Sequence, residues 1–177
     1  ALPAETPGIV VVQHMPAGFT RMYAERLNGL CAMEVKEAED GDRILPGRVI
    51  IAAGGHQLGV SRRGGRLYVA VGPDEPVGGH CPSVDVLFRS VATAVGERAV
   101  GVILTGMGRD GADAMKVLHD TGAQCFGQDE ATSIVFGMPK EARDCGAVDK
   151  LVPLNRMARA ILQALSNITP GYGGLDR

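Results

Sequence analysis

Short apolar runs alternate with amphipathic segments along this chain, a pattern that predicts strands alternating with helices. The predicted strands cover residues 9–12, 49–53, 99–105 and 124–127. Apolar residues at helical spacing predict helices that begin near residues 19, 82, 112 and 139, and a last helix over 154–165. Two further runs, 58–61 and 67–71, flank Arg62-Arg63-Gly64-Gly65 and predict a β-hairpin. The expected architecture is a three-layer, doubly wound α/β fold with a mostly parallel sheet and an inserted hairpin.

Length and composition favour one globular domain. The chain has 177 residues, 45% of them hydrophobic, and a net charge of −2, which argues against a nucleic-acid partner. We expect the domain to cover residues 1–166, with a flexible glycine-rich tail over 167–177. With no apolar run of about 18 residues and no signal-peptide pattern at the start, we expect no membrane insertion and a cytoplasmic protein. The widely spaced cysteines predict no metal site.

The most informative stretch is 99–113, where an apolar run ends in the glycine-rich loop Gly106-Met107-Gly108-Arg109-Asp110-Gly111. This loop stands between a predicted strand and a predicted helix. Asp110 is therefore expected at the carboxyl end of a strand, where open α/β sheets carry their sites.

Two other interpretations of this loop remain open at this point. The six residues satisfy the dinucleotide-binding fingerprint, with Asp129 or Glu130 as a possible ribose partner. Against it, the fingerprint normally opens the first βαβ unit, and a carboxylate in the turn would repel a pyrophosphate. Asp110 could also act only as a helix N-cap.

His14 directly follows the first predicted strand, so it too is expected at a carboxyl edge. If the two strands are neighbours, Asp110 could accept the Nδ1 proton of His14 and leave Nε2 free as a general base. Such a pair needs a nucleophile, and no serine or cysteine of this chain stands on a sharp strand-to-helix turn.

Several segments resemble the catalytic domain of the chemotaxis protein-glutamate methylesterases. The resemblance runs from about residue 9 to residue 165. Its main motifs are Gln13-His14-Met15-Pro16, Pro82-Ser83-Val84-Asp85-Val86-Leu87-Phe88, Gly101-Val102-Ile103-Leu104-Thr105-Gly106-Met107-Gly108 with Asp110-Gly111, and Val135-Phe136-Gly137-Met138-Pro139.

The resemblance implies a serine, histidine and aspartate triad in which His14 and Asp110 match the histidine and the aspartate. It also implies that the backbone N–H of Met107 contributes to the oxyanion hole. The family's serine lies in a Gly-Ala-Ser-Thr-Gly-Gly turn before the Gln-His-Met-Pro motif, and this chain has no such turn. We therefore expect an N-terminally incomplete catalytic domain that is inactive without the nucleophile.

By this resemblance, the intact protein is expected to act on the cytoplasmic domain of methyl-accepting chemotaxis receptors, as a methylesterase and a glutamine deamidase. It implies no metal or organic cofactor, a receiver domain in the same polypeptide, and a monomer. The alternatives are a dinucleotide-binding oxidoreductase that uses the 106–111 loop, or an inactive receptor-binding fragment.

Overall fold

The computed structural model describes residues 2–168, and its internal contacts divide the chain into two compact units. The first unit is Ala1–Val95 and the second is Gly96–Arg177. The expectation of a single domain over 1–166 stays a prediction.

The first unit contains a three-stranded parallel sheet, a two-stranded hairpin and two helices. Its elements in chain order are β1 (Ile9–Val11), α1 (Phe19–Asn28), β2 (Glu34–Glu37), β3 (Arg48–Ile51), β4 (Leu58–Arg63), β5 (Arg66–Val71) and α2 (Val84–Ala94). The parallel strands lie in the order β1-β3-β2, so β3 is central and all three end at the same edge.

The two faces of this sheet are buried by different partners, because side chains alternate along each strand. Ile51 packs with Ala24 of α1 on one face, whereas Ile50 packs with Leu58 and Val69 of the hairpin on the other. Helix α2 contacts β4 of the hairpin. The hairpin turn is Gly64-Gly65, both at positive φ, so β4 and β5 extend further than the predicted runs.

The second unit is a parallel sheet with three helices. Its elements are a short 3-10 turn (Gly96–Arg98), β6 (Val100–Ile103), α3 (Ala112–His119), β7 (Gln124–Gln128), α4 (Met138–Asp144), β8 (Lys150–Val152) and α5 (Leu154–Ile168). The strand order is β6-β7-β8, and consecutive strands are joined through α3 and α4.

Helices cover both faces of this second sheet, which gives the unit three layers. Val100 and Val102 pack with α5 in one cluster. Gly101 faces the opposite side, where a Cβ would lie 3.2 Å from Leu118 of α3 and 2.9 Å from the Cys125 Sγ.

Burial and the nearby Asp149 raise the pKa of the Cys125 thiol to about 12.

The α/β class, the mostly parallel strands and the inserted hairpin are confirmed. Two strands escaped prediction: β2 and β8 are short edge strands, and the sequences Glu-Val-Lys-Glu and Lys-Leu-Val carry few apolar residues. The parallel strands form one three-stranded sheet in each unit rather than one sheet.

The expected tail also needs a correction, because Asn167 and Ile168 still belong to α5; the rest of that segment lies outside the described residues. Within 2–168, no helix combines the length and the apolar character needed to cross a membrane.

Replacing Leu118 by alanine should lower the free energy of unfolding by about 2–5 kcal/mol, because Leu118 is fully buried and its loss leaves a cavity. The neighbouring Val117 is 42% exposed, so Val117→Ala should change it by less than about 0.5 kcal/mol. Urea unfolding of both variants measures the difference. Equal losses would contradict the packing described for α3.

Candidate functional site

His14 lies in the loop between β1 and α1, at the carboxyl edge of the first unit's parallel sheet. The loop rests directly on the backbone after β3. A Cβ at Gly54 would lie 2.5 Å from the Ala17 N and the Pro16 C and 2.6 Å from the Met15 O. Only glycine allows this contact, so the backbone that follows His14 is held close to the end of β3.

Thr20 anchors the same loop from its helical side. Its buried hydroxyl donates to the Glu37 Oε1 at 2.6 Å and accepts from the Gly54 N–H at 3.0 Å. The start of α1 is thereby tied to the ends of β2 and β3. These bonds restrict the position from which His14 projects.

His80 stacks on His14. The two imidazole centroids are 4.1 Å apart and the ring planes differ by 12°. Both residues belong to the first unit, although they come from different loops. A stacked neighbour restricts the rotation of the His14 ring.

The loop that carries His80 is held by the buried side chain of Gln57. The Gln57 Nε2 donates to the backbone oxygens of His80, at 2.9 Å, and Glu75, at 3.0 Å. The Gln57 Oε1 accepts from the Ser83 N–H at 2.9 Å. Ser83 is the N-cap residue of α2, so one amide links the His80 loop to the start of this helix.

In the second unit, the glycine-rich loop is bonded to the segment before α4. The Thr105 hydroxyl accepts from the Val135 N–H at 2.9 Å and donates to the Val135 oxygen at 3.1 Å. The Gly106 N–H also donates to the Val135 oxygen, and the Gly106 oxygen accepts from the Met138 N–H at 2.8 Å. The backbone on the N-terminal side of Met107 therefore has little freedom to move.

Gln128, fully buried at the end of β7, supports this arrangement. Its Oε1 accepts from the Thr105 N–H at 2.9 Å, and its Nε2 donates to the Thr132 oxygen at 2.7 Å. A single amide thus joins the end of β6 to the loop after β7. Sequence reasoning did not single out Gln128, because a polar residue at a strand end carries no signal of such bonding.

Met107 and Asp110 occupy the loop between β6 and α3. The Met107 side chain is 83% exposed, and no hydrogen bond described within residues 2–168 uses its backbone N–H. Asp110 is only 8% exposed. The N-cap position of α3 is Gly111, at φ +91°, so Asp110 stands one residue before it. That Asp110 acts only as a helix cap stays an untested interpretation.

Arg109 points its guanidinium at neighbouring carboxylates. It bonds both oxygens of Asp113, at 2.6 and 3.3 Å, and the Glu141 Oε2 at 3.0 Å. Hydrogen bonding to Asp113, and then to Glu141, raises the pKa of the Arg109 guanidinium. This cation therefore links α3 to α4 at the base of the loop.

The dinucleotide interpretation is not favoured by the local geometry. At Gly106 a Cβ would lie 2.4 Å from the Met138 Sδ, so the Met138 side chain of α4 occupies the space beside this glycine. The Asp129 Oδ1 accepts from the Thr132 N–H and hydroxyl, at 3.0 and 2.5 Å, which makes it part of a local turn. Both residues have structural partners that account for them without a nucleotide.

The expected site residues thus come from both units: His14 from the first, and Met107 and Asp110 from the second. The sequence alone gives no reason to prefer His80 to the exposed His56 as a site residue, but the structure stacks the His80 ring on the His14 ring. The chemical groups available are an imidazole able to act as a base, a carboxylate and a backbone N–H donor.

Comparison with known proteins gives one family. The family model described as CheB methylesterase matches residues 1–161. A protein-glutamate methylesterase/protein-glutamine glutaminase of Syntrophotalea carbinolica is 58% identical over 164 residues, which cover 93% of this chain and 46% of the relative. A protein of the same description from Dechloromonas aromatica is 54% identical over 172 residues, covering 97% of this chain and 46% of the relative.

A solved structure agrees with these sequence matches. The CheB methylesterase catalytic domain of Thermotoga maritima superposes with a TM-score of 0.88 at 36% identity, over 92% of this chain and 86% of that chain. The chain spans about half the length of the curated relatives it matches.

Gly54→Ala should lower the free energy of unfolding by about 1–3 kcal/mol and shift the imidazole NMR signals of His14, because the new methyl group collides with the backbone of residues 15–17. Gly29→Ala is the matched control. Gly29 has a φ of −77°, and a Cβ added there would be 3.6 Å from the nearest atom, so the stability and the His14 signals should change little. The free energy of unfolding is measured in urea, and the imidazole signals by NMR. If both variants lost the same stability and shifted the His14 signals equally, the description of this loop would be contradicted.

Proposed function

This chain belongs to the CheB methylesterase family, an enzyme family, and from that membership we propose that the protein containing it removes methyl groups from glutamate γ-esters of chemotaxis receptors and deamidates glutamine side chains. One observation carries the proposal. The family match covers residues 1–161 and so includes both the His14 loop and the Asp110 loop.

In the proposed mechanism, His14 and Asp110 act in one triad with a serine. His14 accepts the serine proton as the hydroxyl oxygen attacks the γ-carbonyl carbon, and Asp110 holds the ring and stabilises the imidazolium. The tetrahedral intermediate collapses, the C–O bond to the methoxy group breaks, and methanol leaves with the proton from His14. Water, activated by His14, then hydrolyses the acyl-enzyme to a free glutamate. With a glutamine substrate, ammonia is the leaving group.

The Met107 N–H is the proposed donor to the oxyanion. Two features support this role: the N–H has no acceptor among the described residues, and the preceding backbone is fixed by Thr105 and Gly106. A donor that is in place before the reaction stabilises the developing charge without reorganisation, an effect of about 10²–10³ in rate. The scheme calls for no metal or organic cofactor.

The serine of the triad is proposed to come from a Gly-Ala-Ser-Thr-Gly-Gly turn outside the sequence of this chain, since none of its residues matches that turn. The substrate is proposed to be the cytoplasmic domain of a methyl-accepting chemotaxis receptor, and the protein to work as a cytoplasmic monomer. A receiver domain in the same polypeptide is proposed to regulate it.

His14→Ala and Asp110→Asn should each lower methanol release from methylated receptor by about 10³-fold or more, because each removes a group needed for proton transfer. The assay uses the natural polypeptide that contains this chain, after its intact mass and peptide map have established whether it carries the serine. His56→Ala is the control, since this exposed imidazole has no role in the scheme. Unchanged activity in His14→Ala and Asp110→Asn would refute the triad.

His80→Ala should lower kcat by about tenfold and leave KM within about twofold, because the His14 ring loses its stacked neighbour while substrate contacts persist. His80→Phe keeps a flat ring at this position and should recover most of the loss. Steady-state kinetics of the two variants provide the measurement. If phenylalanine were no better than alanine, in variants of equal stability, stacking would not be the function of His80.

A further inference from the structure

Two of the most exposed large apolar side chains in the described part of the chain lie beside the glycine-rich loop. Ile134 is 93% exposed and Met107 is 83% exposed, and Val135 adds a further half-exposed apolar side chain. All three belong to the second unit. We call Met107, Ile134 and Val135 the apolar rim.

Backbone bonds bring the parts of the apolar rim together. The Val135 N–H donates to the Thr105 hydroxyl, and the Val135 oxygen accepts from that hydroxyl and from the Gly106 N–H. The segment is then so close to the loop that a Cβ at Gly137 would lie 3.2 Å from the Met107 Cα. The two segments therefore present their side chains from one joined piece of backbone.

Core packing does not explain why these side chains are apolar. The backbone of Val135 is bonded to Thr105 and Gly106, whereas the side chains of Ile134 and Met107 remain in contact with water. Exposed apolar side chains grouped on a surface mark sites of interaction with another molecule, although single ones are common. Here they flank the Met107 N–H, which is proposed to donate a hydrogen bond to the oxyanion.

We propose that the apolar rim docks the protein substrate through apolar side chains next to the modified glutamate, and so selects which glutamates are hydrolysed. This inference rests on the proposed function. A glutamate side chain is short, so the protein surface around it must contact the surface around the Met107 N–H when its γ-carbonyl reaches that donor. Apolar neighbours of the target residue on the substrate would then be buried against Ile134 and Val135.

The test compares a protein substrate with a small one. Ile134→Ser, in the natural polypeptide that contains this chain, should raise KM for methylated receptor by about tenfold, because one buried apolar contact is lost. Hydrolysis of N-acetylglutamate γ-methyl ester should stay within about twofold, since this ester has no surrounding protein surface. Leu30→Ser is the matched control, because Leu30 is 72% exposed and lies in the first unit, away from the glycine-rich loop in sequence.

The outcomes separate the two proposals. An unchanged KM for the receptor in Ile134→Ser, or an equal loss on both substrates, would overturn the docking role. If Ile134→Ser changes only the sedimentation of the protein, the apolar rim binds a second copy, and the docking role is also overturned. A wild-type protein that hydrolyses neither substrate would refute the proposed function. Receptor binding measured by calorimetry would then decide the docking role, because only a roughly tenfold weakening in Ile134→Ser supports it.

Discussion

Two buried glutamine side chains hold the loops on which the proposed chemistry depends, one in each unit. Gln57 bonds the His80 loop and the start of α2, and Gln128 bonds the end of β6 and the loop after β7. The primary amide of glutamine has an NH₂ group that donates hydrogen bonds and an oxygen that accepts them. One side chain can therefore satisfy backbone carbonyl and N–H groups of separate segments. An apolar residue of similar size would leave those buried backbone groups unpaired, at a cost of about 1–3 kcal/mol each. The loop conformations are therefore part of the stability of each unit.

Close backbone contacts add a second constraint on the same loops. Gly54 lies against the backbone that follows His14, and a Cβ at Gly137 would lie 2.6 Å from the Gly106 oxygen. At both places the chain can approach only because a side chain is absent. Loops held in this way lose little freedom when a substrate binds, which suits an N–H that must already point at a developing charge. Rigidity of the loops and exposure of the groups they carry are thus compatible.

The sequence predicts the class of fold and the neighbourhoods of the site, because both follow from periodicity. His14 and Asp110 each come after an apolar run, and parallel strands bring such positions to a carboxyl edge. What it could not predict depends on contacts distant in sequence. The loop with His80 has no periodic pattern, and Gln57 determines its place. The strands β2 and β8 were missed because edge strands need only a few apolar residues. The division into two units was not anticipated, since no change of composition marks residues 95 and 96.

The same glycine pattern can serve two unrelated chemistries, and the partners of each glycine decide between them. In a dinucleotide site the glycines make room for a pyrophosphate beside a helix N-terminus. Here the space at Gly106 is taken by Met138, and Arg109 is bonded to Asp113 and Glu141. The loop is consequently packed against α4 at Gly106, and the Met107 N–H, which no hydrogen bond of the described residues uses, lies beside exposed apolar side chains. The carboxylate of Asp110 in the same loop would repel a pyrophosphate, whereas the carbonyl group of a neutral ester carries no net charge for this carboxylate to oppose.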